Sequence, residues 1–220
     1  MGREIEIKIP LTNADYKKIY SVISGDEKIA GLKICKNGDV PCPIEHILKT
    51  DSYFSRYATR QESAAAGEPQ VIRIRCEKYE RIGTKESAKK VAPKAFFCIK
   101  RKTVENGVEL NREDESFIEK PEVVRDLLLF SGYHQFFEKC KDSFSVYCES
   151  DILRGCEFHL ELEKVNGLQY VEIEVTDEQG SGFDADEVRL ALNKFVELLG
   201  LDSSKRDSRS WMEIINGGAQ

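Results

Sequence analysis

The sequence predicts a mainly antiparallel β protein of the α+β class, in which eight strands close into a barrel and helices pack on its outside. Segments in which apolar and polar residues alternate recur along the chain, as expected for half-buried strands. Short polar turns such as "ENG" and "VNG" join them, which favours antiparallel neighbours. The charged faces of the strands are sorted by sign, and closure into a barrel would gather those faces in one polar tunnel.

Eight segments have this strand pattern: 3–9, 50–58, 71–80, 95–102, 107–119, 142–150, 157–165 and 168–175. Three helices are predicted between or after them, from "TNADYKKIYSVIS", "PEVVRDLLLFSG" and "DADEVRLALNKFVELLG". The stretches 59–70 and 83–94 are expected to be loops or insertions. We find no convincing linker, so residues 1–220 are predicted to form a single domain.

The composition limits the classes of function. The formal net charge of −6 argues against a general nucleic-acid binder. No apolar stretch is long enough to span a membrane, and the N-terminus leads straight into a charged strand, so we expect a cytoplasmic protein without a signal peptide. The seven cysteines form no C-x-x-C pair, so reduced thiols are expected and a zinc site is not.

Carboxylates dominate the polar faces of two predicted strands. The opening strand, "EIEIK", presents Glu4, Glu6 and Lys8 opposite three isoleucines, and "VEIEV" presents Glu172 and Glu174. If these strands are close together, four carboxylates form a cluster that needs cations to stay ionised. Hard divalent cations that prefer oxygen ligands, Mg²⁺ or Mn²⁺, are the natural partners.

Basic residues occupy the polar faces of three other segments. These are Arg73 and Arg75, Lys100 and Lys102, and Lys139 and Lys141. A chain of phosphates that also ligates the metals would satisfy both the basic and the acidic strands. The alternative is that the charged faces of an ordinary sheet point to water, and the pattern alone does not decide between the two.

The motifs resemble those of the CYTH superfamily, the triphosphate tunnel metalloenzymes, which includes class IV adenylyl cyclases, thiamine triphosphatases and inorganic triphosphatases. "EIEIK" resembles the E-x-E-x-K signature of that superfamily. Further matches follow in the family's order, from position 4 to 215: "TDSYF", "VIRIR", "FFCIKRK", "NREDE", "LELEKVNGLQYVEIEV" and "SRSWMEII". The departures are Asp114 and Glu163 in place of glutamate and aspartate, Lys141 for arginine, Gln169 for glycine and Trp211 for tyrosine.

The resemblance implies a role for each matching residue. The metal ligands would be Glu4, Glu6, Glu172 and Glu174, with Glu163 assisting. The triphosphate would be gripped by Lys8, Arg73, Arg75, Lys100, Arg112 and Lys141. The catalytic set would be Glu4, Glu6, Lys8, Glu172 and Glu174. None of the three histidines falls in a motif, so each is expected to be a surface or core residue.

The reaction that we favour from the sequence is metal-dependent hydrolysis of a triphosphate-bearing small molecule: tripolyphosphate, a nucleoside triphosphate or thiamine triphosphate. The alternative is a class IV adenylyl cyclase, which converts ATP to cyclic AMP and pyrophosphate. A polyphosphate or nucleotide sensor without turnover and an RNA 5′-triphosphatase are less favoured. No nucleic-acid or membrane partner is expected. The sequence leaves open the organic part of the substrate, the preferred metal and the oligomeric state, with a homodimer as one option.

Overall fold

The predicted barrel is confirmed. The computed structural model describes residues 2–34, 36–37, 40–41, 44–69, 71–82, 91–105, 108–153, 156–177 and 184–217. Its strands are β1 (Gly2–Pro10), β2 (Leu32–Ile34), β3 (Lys36–Asn37), β4 (Val40–Pro41), β5 (Glu45–Ser55), β6 (Val71–Ile82), β7 (Lys94–Glu105), β8 (Val108–Phe117), β9 (His134–Ser150), β10 (Glu157–Val165) and β11 (Leu168–Asp177).

The eight long strands form a closed ring in the order β1-β8-β7-β6-β5-β9-β10-β11, and β11 pairs again with β1. Every pairing in the ring is antiparallel. The short strand β2 adds to the end of β9, and β3 pairs with β4. One difference from the sequence prediction is that β9 begins at His134 rather than at 142. The adjacent Phe136 and Phe137 break the alternation there, and so the pattern hid the first half of this strand.

The three predicted helices are present, and two short ones accompany them. They are α1 (Asn13–Ile23), α2 (Arg60–Ala65), α3 (Pro121–Phe130), α4 (Ala185–Leu198) and α5 (Trp211–Ile215), with a 3₁₀ turn at Ser203–Lys205. Helix α2 lies in the predicted insertion 59–70, where Thr59 and Glu62 form a capping box. Of the second insertion, residues 83–90 lie outside the described residues. Among the described helices, none has both the length and the apolar character that crossing a bilayer requires.

The two faces of β1 show how the barrel is built. Ile5, Ile7 and Ile9 point outward into the main hydrophobic core, which also contains Ile19 of α1 and Phe195 of α4. The intervening side chains point into the barrel, because successive residues of a strand face opposite sides. The aliphatic face is therefore covered by helices, and the charged face is enclosed.

Removing a side chain from the core under these helices is expected to destabilise the protein. Ile7 is 1% exposed, so Ile7→Ala should lower the free energy of unfolding by about 2–5 kcal/mol. Phe130→Ala removes a larger side chain that is 93% exposed, and it should change stability by less than about 0.5 kcal/mol. Urea denaturation, monitored by circular dichroism, measures the free energy of unfolding of both variants. Equal stability losses would contradict this assignment of inside and outside.

Candidate functional site

The barrel encloses a cavity of about 660 Å³ to which each of the eight long strands contributes side chains. This volume is within the range of small-molecule sites. Most of the lining is charged, with acidic and basic side chains interspersed. The described lining residues outside the strands are Arg60 of α2 and, at the C-terminal end of the chain, Ser210, Trp211 and Met212.

Two groups of three neighbouring carboxylates lie in or directly behind the cavity wall, in place of the single cluster of four that the sequence predicts. Glu4, Glu6 and Glu174 form the first group, and within it the oxygens lie within 4.8 Å of one another. Glu172 belongs to a second group with Glu161 and Glu163. The register explains the division: Glu6 is opposite Glu174, whereas Lys8 is opposite Glu172 and separates it from the other carboxylates.

Lys100 is the main cation at the first carboxylate group. Its Nζ lies 3.4 Å from Glu4, 3.7 Å from Glu6 and 3.5 Å from Glu113. Burial raises the pKa of Glu4 to about 9. Burial also opposes ionisation of Glu6, but Lys100, a hydrogen bond with Glu109 and the charge of Lys8 together outweigh it and lower the pKa of Glu6 to about 2.

The donor chemistry of the first group fits a hard divalent cation. It offers carboxylate oxygens from two adjacent strands, converging on one side of the cavity. His159 Nδ1 lies 2.8 Å from Glu174 Oε1 and so fixes the orientation of that carboxylate. Burial raises the pKa of Glu4, and the neighbouring carboxylates Glu174 and Glu113 raise it further, whereas Lys100 lowers it.

The second carboxylate group is neutralised by lysines. Lys49 bonds to Glu161, and Lys141 bonds to both Glu163 and Glu172, the latter at 3.0 Å. Burial disfavours the charged form of Glu172, yet Lys141 and neighbouring lysines hold its pKa well below the usual range. Glu163 is fully buried, and its Oε2 has no hydrogen-bond partner among the described residues. Because this oxygen lacks a partner, the lysines do not satisfy every hydrogen-bond acceptor of the second carboxylate group.

The arginines of β6 are held in fixed orientations by acidic side chains of the neighbouring strands. Arg75 donates two hydrogen bonds to Asp51, of 2.7 and 3.0 Å, in a fork geometry. Arg73 donates to Glu113 at 2.7 Å and to Glu115 at 3.2 Å. Asp51 is itself completely buried, so the guanidinium groups are positioned before any ligand arrives.

Most of the residues singled out from the sequence lie in the cavity wall. They are Glu4, Glu6, Lys8, Arg73, Arg75, Lys100, Lys141, Glu172 and Glu174. Glu163 lies just behind the wall, against Lys141. Arg112 requires a correction, because it is exposed and does not line the cavity. On β8 the inward positions are Glu109, Asn111 and Glu113. The alignment of "NREDE" with the family motif was therefore shifted by one residue, which assigned Arg112 to the wrong face of the strand.

Sequence reasoning also missed several cavity residues. His159 lines the cavity, contrary to the expectation that every histidine is a surface or core residue. The other omissions are Lys49, Glu109, Glu113, Glu115 and Glu161. A strict alternation count along β10 would have found Glu161, because it shares a strand face with Glu163.

Lys100 is expected to matter for stability because it offsets the repulsion among at least three carboxylates. When a chelator keeps the protein free of metal, Lys100→Met should lower the free energy of unfolding by about 3 kcal/mol, because breaking a buried ion pair leaves uncompensated charge. Mn²⁺ should restore more stability to this variant than to the wild type. Lys78→Met is the control, because the Lys78–Glu80 pair is exposed and should contribute less than about 1 kcal/mol. Equal effects in the two variants, measured by urea denaturation, would contradict the role of Lys100.

Comparison with known proteins identifies the fold. No family sequence model matches the chain, and the search of curated proteins gives no relative. Among solved structures, a Pyrococcus horikoshii OT3 protein matches at a TM-score of 0.69 and 17% identity, with coverage of 97% of this chain and 98% of the other. A putative adenylate cyclase from Vibrio parahaemolyticus matches at a TM-score of 0.61 and 15% identity, with 97% of each chain covered.

A third match is a putative adenylyl cyclase from Hippeastrum described as having a dominant triphosphatase activity. It matches at a TM-score of 0.57 and 16% identity, covering 100% of this chain and 97% of that one. At these identities the likeness establishes the fold. The chain therefore shares its closed antiparallel barrel fold with these solved structures.

Proposed function

We propose that this protein is a divalent-metal-dependent phosphohydrolase that acts on a triphosphate-bearing substrate bound in the barrel cavity. The observation that carries the proposal is the arrangement of charge: buried carboxylates and buried lysines and arginines face one cavity inside the barrel. A polyanion that also ligates a cation complements both sets. The fold likeness supports the proposal without naming the substrate.

The metal, Mg²⁺ or Mn²⁺, would be held by Glu4, Glu6 and Glu174. When bound, it would neutralise phosphate oxygens and lower the pKa of a water molecule. The second carboxylate group was also predicted to hold metal, through Glu172 and Glu163. Because Lys141 bonds to both of these carboxylates, we assign that group primarily to orienting the lysine.

The basic side chains would bind the phosphates and stabilise the charge that develops during transfer of the terminal phosphoryl group. Arg73 and Arg75 offer planar forks that match phosphate oxygens, and Asp51 and Glu113 hold them in place. Lys8 and Lys141 add point charges from the neighbouring wall. Preorganised cations of this kind need little rearrangement at the moment of reaction, which is the usual source of rate enhancement in phosphoryl transfer.

Adenylyl cyclase activity is the second candidate. The aromatic side chains of the cavity wall include Tyr53, Phe136 and Phe137, on which the base of ATP could stack. The solved structures also include proteins described as putative adenylate cyclases. We favour hydrolysis because the cavity is rich in carboxylates for metal binding, and because the Hippeastrum protein is described as a cyclase with dominant triphosphatase activity.

A product assay distinguishes these functions. The purified protein is supplied with tripolyphosphate, ATP or thiamine triphosphate, each with Mg²⁺ or Mn²⁺. Release of orthophosphate without cyclic AMP is the expected result, and the fastest substrate identifies the organic part. Cyclic AMP with pyrophosphate would establish the cyclase instead. Metal-dependent binding without any product would indicate a sensor and overturn the enzymatic proposal.

A further inference from the structure

Helix α3 has an apolar stripe on its outer face, away from the barrel. Val124 and Leu128 pack inward against the small hydrophobic cluster under the helix. Val123, Leu127 and Phe130 are 57%, 62% and 93% exposed, and they recur at the i, i+4 and i+7 positions of one helix face. Apolar side chains grouped on one exposed face mark a surface that binds a partner.

Two carboxylates lie beside this stripe. Glu122 and Asp126 are both exposed. They are four residues apart in α3, so they are neighbours on the helix surface, with Cβ atoms about 5–6 Å apart. The outer face of α3 is therefore apolar and acidic at the same time, and charge complementarity requires a partner surface that is apolar and basic.

The outer wall of the barrel has such a surface. Arg101 of β7 and Arg112 of β8 are directly opposite each other in the strand register, and both are exposed. Residues at such opposed positions have Cβ atoms about 4.5–5.5 Å apart. Ile99 and Leu110 are half-buried on the same outer face, and each is two residues from one of the arginines. This part of the wall is therefore basic and apolar.

The acidic and the basic surface lie on the same side of the molecule. Helix α3 packs on β6, β7 and β9, and Phe97 of β7 belongs to the cluster under the helix. Arg101 follows Phe97 by four residues on the same outer face of β7, which is roughly 13 Å along the strand. One copy of the chain thus has both surfaces side by side. A twofold rotation can place α3 of each copy on the arginines of the other.

We propose that two copies of this chain form a symmetric dimer through these two surfaces. Glu122 and Asp126 of each copy pair with Arg101 and Arg112 of the other. The spacing of the two carboxylates along α3 matches the spacing of the two arginines across β7 and β8, and carboxylate–guanidinium pairs are frequently bidentate. Each set of pairs occurs twice, because a twofold interface uses the same residues from both copies.

The dimer is expected to be weak. Val123 and Leu127 cover Ile99 and Leu110 of the other copy, but the apolar stripe is only one short helix long. Stable interfaces bury about 800 Å² per partner, and small contacts of this kind are transient. We expect a dissociation constant on the order of 10 µM. Dilute protein, as used for kinetics and denaturation, is then monomeric.

The test is sedimentation velocity at protein concentrations from roughly 1 to 200 µM, since a dimer forms by mass action. The wild type should change from monomer to dimer over this range. Arg112→Glu and Asp126→Arg should each raise the dissociation constant by at least about tenfold, because each brings like charges together. An equimolar mixture of the two variants should dimerise again, since each variant then presents opposite charges to the other.

Lys17→Glu on α1 and Glu187→Arg on α4 are the matched controls. Both residues are exposed, and their helices pack on β1, β9, β10 and β11 instead of β7 and β8. These variants should dimerise like the wild type, and circular dichroism confirms that every variant folds. A wild type that stays monomeric over the whole range would overturn the proposal. So would a dimer that survives both charge reversals, or a mixture of the two variants that stays monomeric.

Discussion

Replacement of Glu6 by glutamine is expected to lower triphosphate turnover by at least about 10³-fold while the barrel stays folded. Glu6 is buried, faces Glu4 and Glu174, and is held ionised with a pKa lowered to about 2 despite the cost of burial. Glutamine has nearly the same shape but no charge, so the variant loses a metal ligand without leaving a cavity. Loss of metal-assisted charge stabilisation amounts to several kcal/mol in the transition state, which corresponds to this loss of rate.

The measurement is kcat for tripolyphosphate across a range of Mn²⁺ concentrations, with circular dichroism as the check on folding. Glu80→Gln is the matched control, because Glu80 lies on the exposed part of β6 and pairs with Lys78. The control should retain wild-type kcat. Full activity in Glu6→Gln at moderate Mn²⁺ would contradict the assignment of Glu6 to the metal.

Removing the guanidinium of Arg73 is expected to lower kcat/KM by about 10²–10³-fold, the usual cost of losing one preorganised donor to a reacting group. Arg73 is 6% exposed, and one of its terminal nitrogens donates to both Glu113 and Glu115. Arg73→Ala should therefore weaken both substrate binding and the stabilisation of transferred charge. Steady-state kinetics with tripolyphosphate as substrate give kcat and KM separately.

Arg112→Ala is the matched control for Arg73→Ala. Arg112 is exposed and lies on the other face of β8, so its removal should change kcat/KM by less than about twofold. The pair of variants also tests the strand register. If Arg112→Ala lowered kcat/KM as much as Arg73→Ala does, the assignment of which β8 side chains face the cavity would be wrong.

The architecture could be predicted from sequence because alternation is a local property. In β1, three isoleucines separate Glu4, Glu6 and Lys8, and each set shares one face whatever the partner strands are. The barrel then follows from closing such strands so that their charged faces are enclosed. The same reasoning failed at Arg112, because "NREDE" is charged on both faces and alternation gives no phase there.

The division of the carboxylates into two groups could not be predicted, because it depends on the register between strands. A shift of β11 by two residues would place Glu172, instead of Glu174, opposite Glu6. No local signal in the sequence sets this shift. Asp51 illustrates the same limit: its role in orienting Arg75 depends on a pairing between β5 and β6 that only the folded chain shows.

Trp211 and His159 were out of reach of sequence reasoning for a different reason. Their contacts, with Glu172 and Glu174, join segments that are 39 and 15 residues apart in the chain. Trp211 stands where the related motifs have tyrosine, and the substitution gave no indication that the ring borders three lysines. Tertiary packing of α5 against the barrel creates that environment.

The most direct test of a joint metal and triphosphate site is equilibrium binding of Mn²⁺, followed by electron paramagnetic resonance of the free ion, with and without tripolyphosphate. The wild type should bind Mn²⁺, and tripolyphosphate should increase its affinity, because phosphate oxygens would add to the carboxylate ligands proposed here, Glu4, Glu6 and Glu174. Glu6→Gln should lose both the binding and the coupling. Mn²⁺ binding that is absent from the wild type, or equal in the two proteins, would contradict the proposed site.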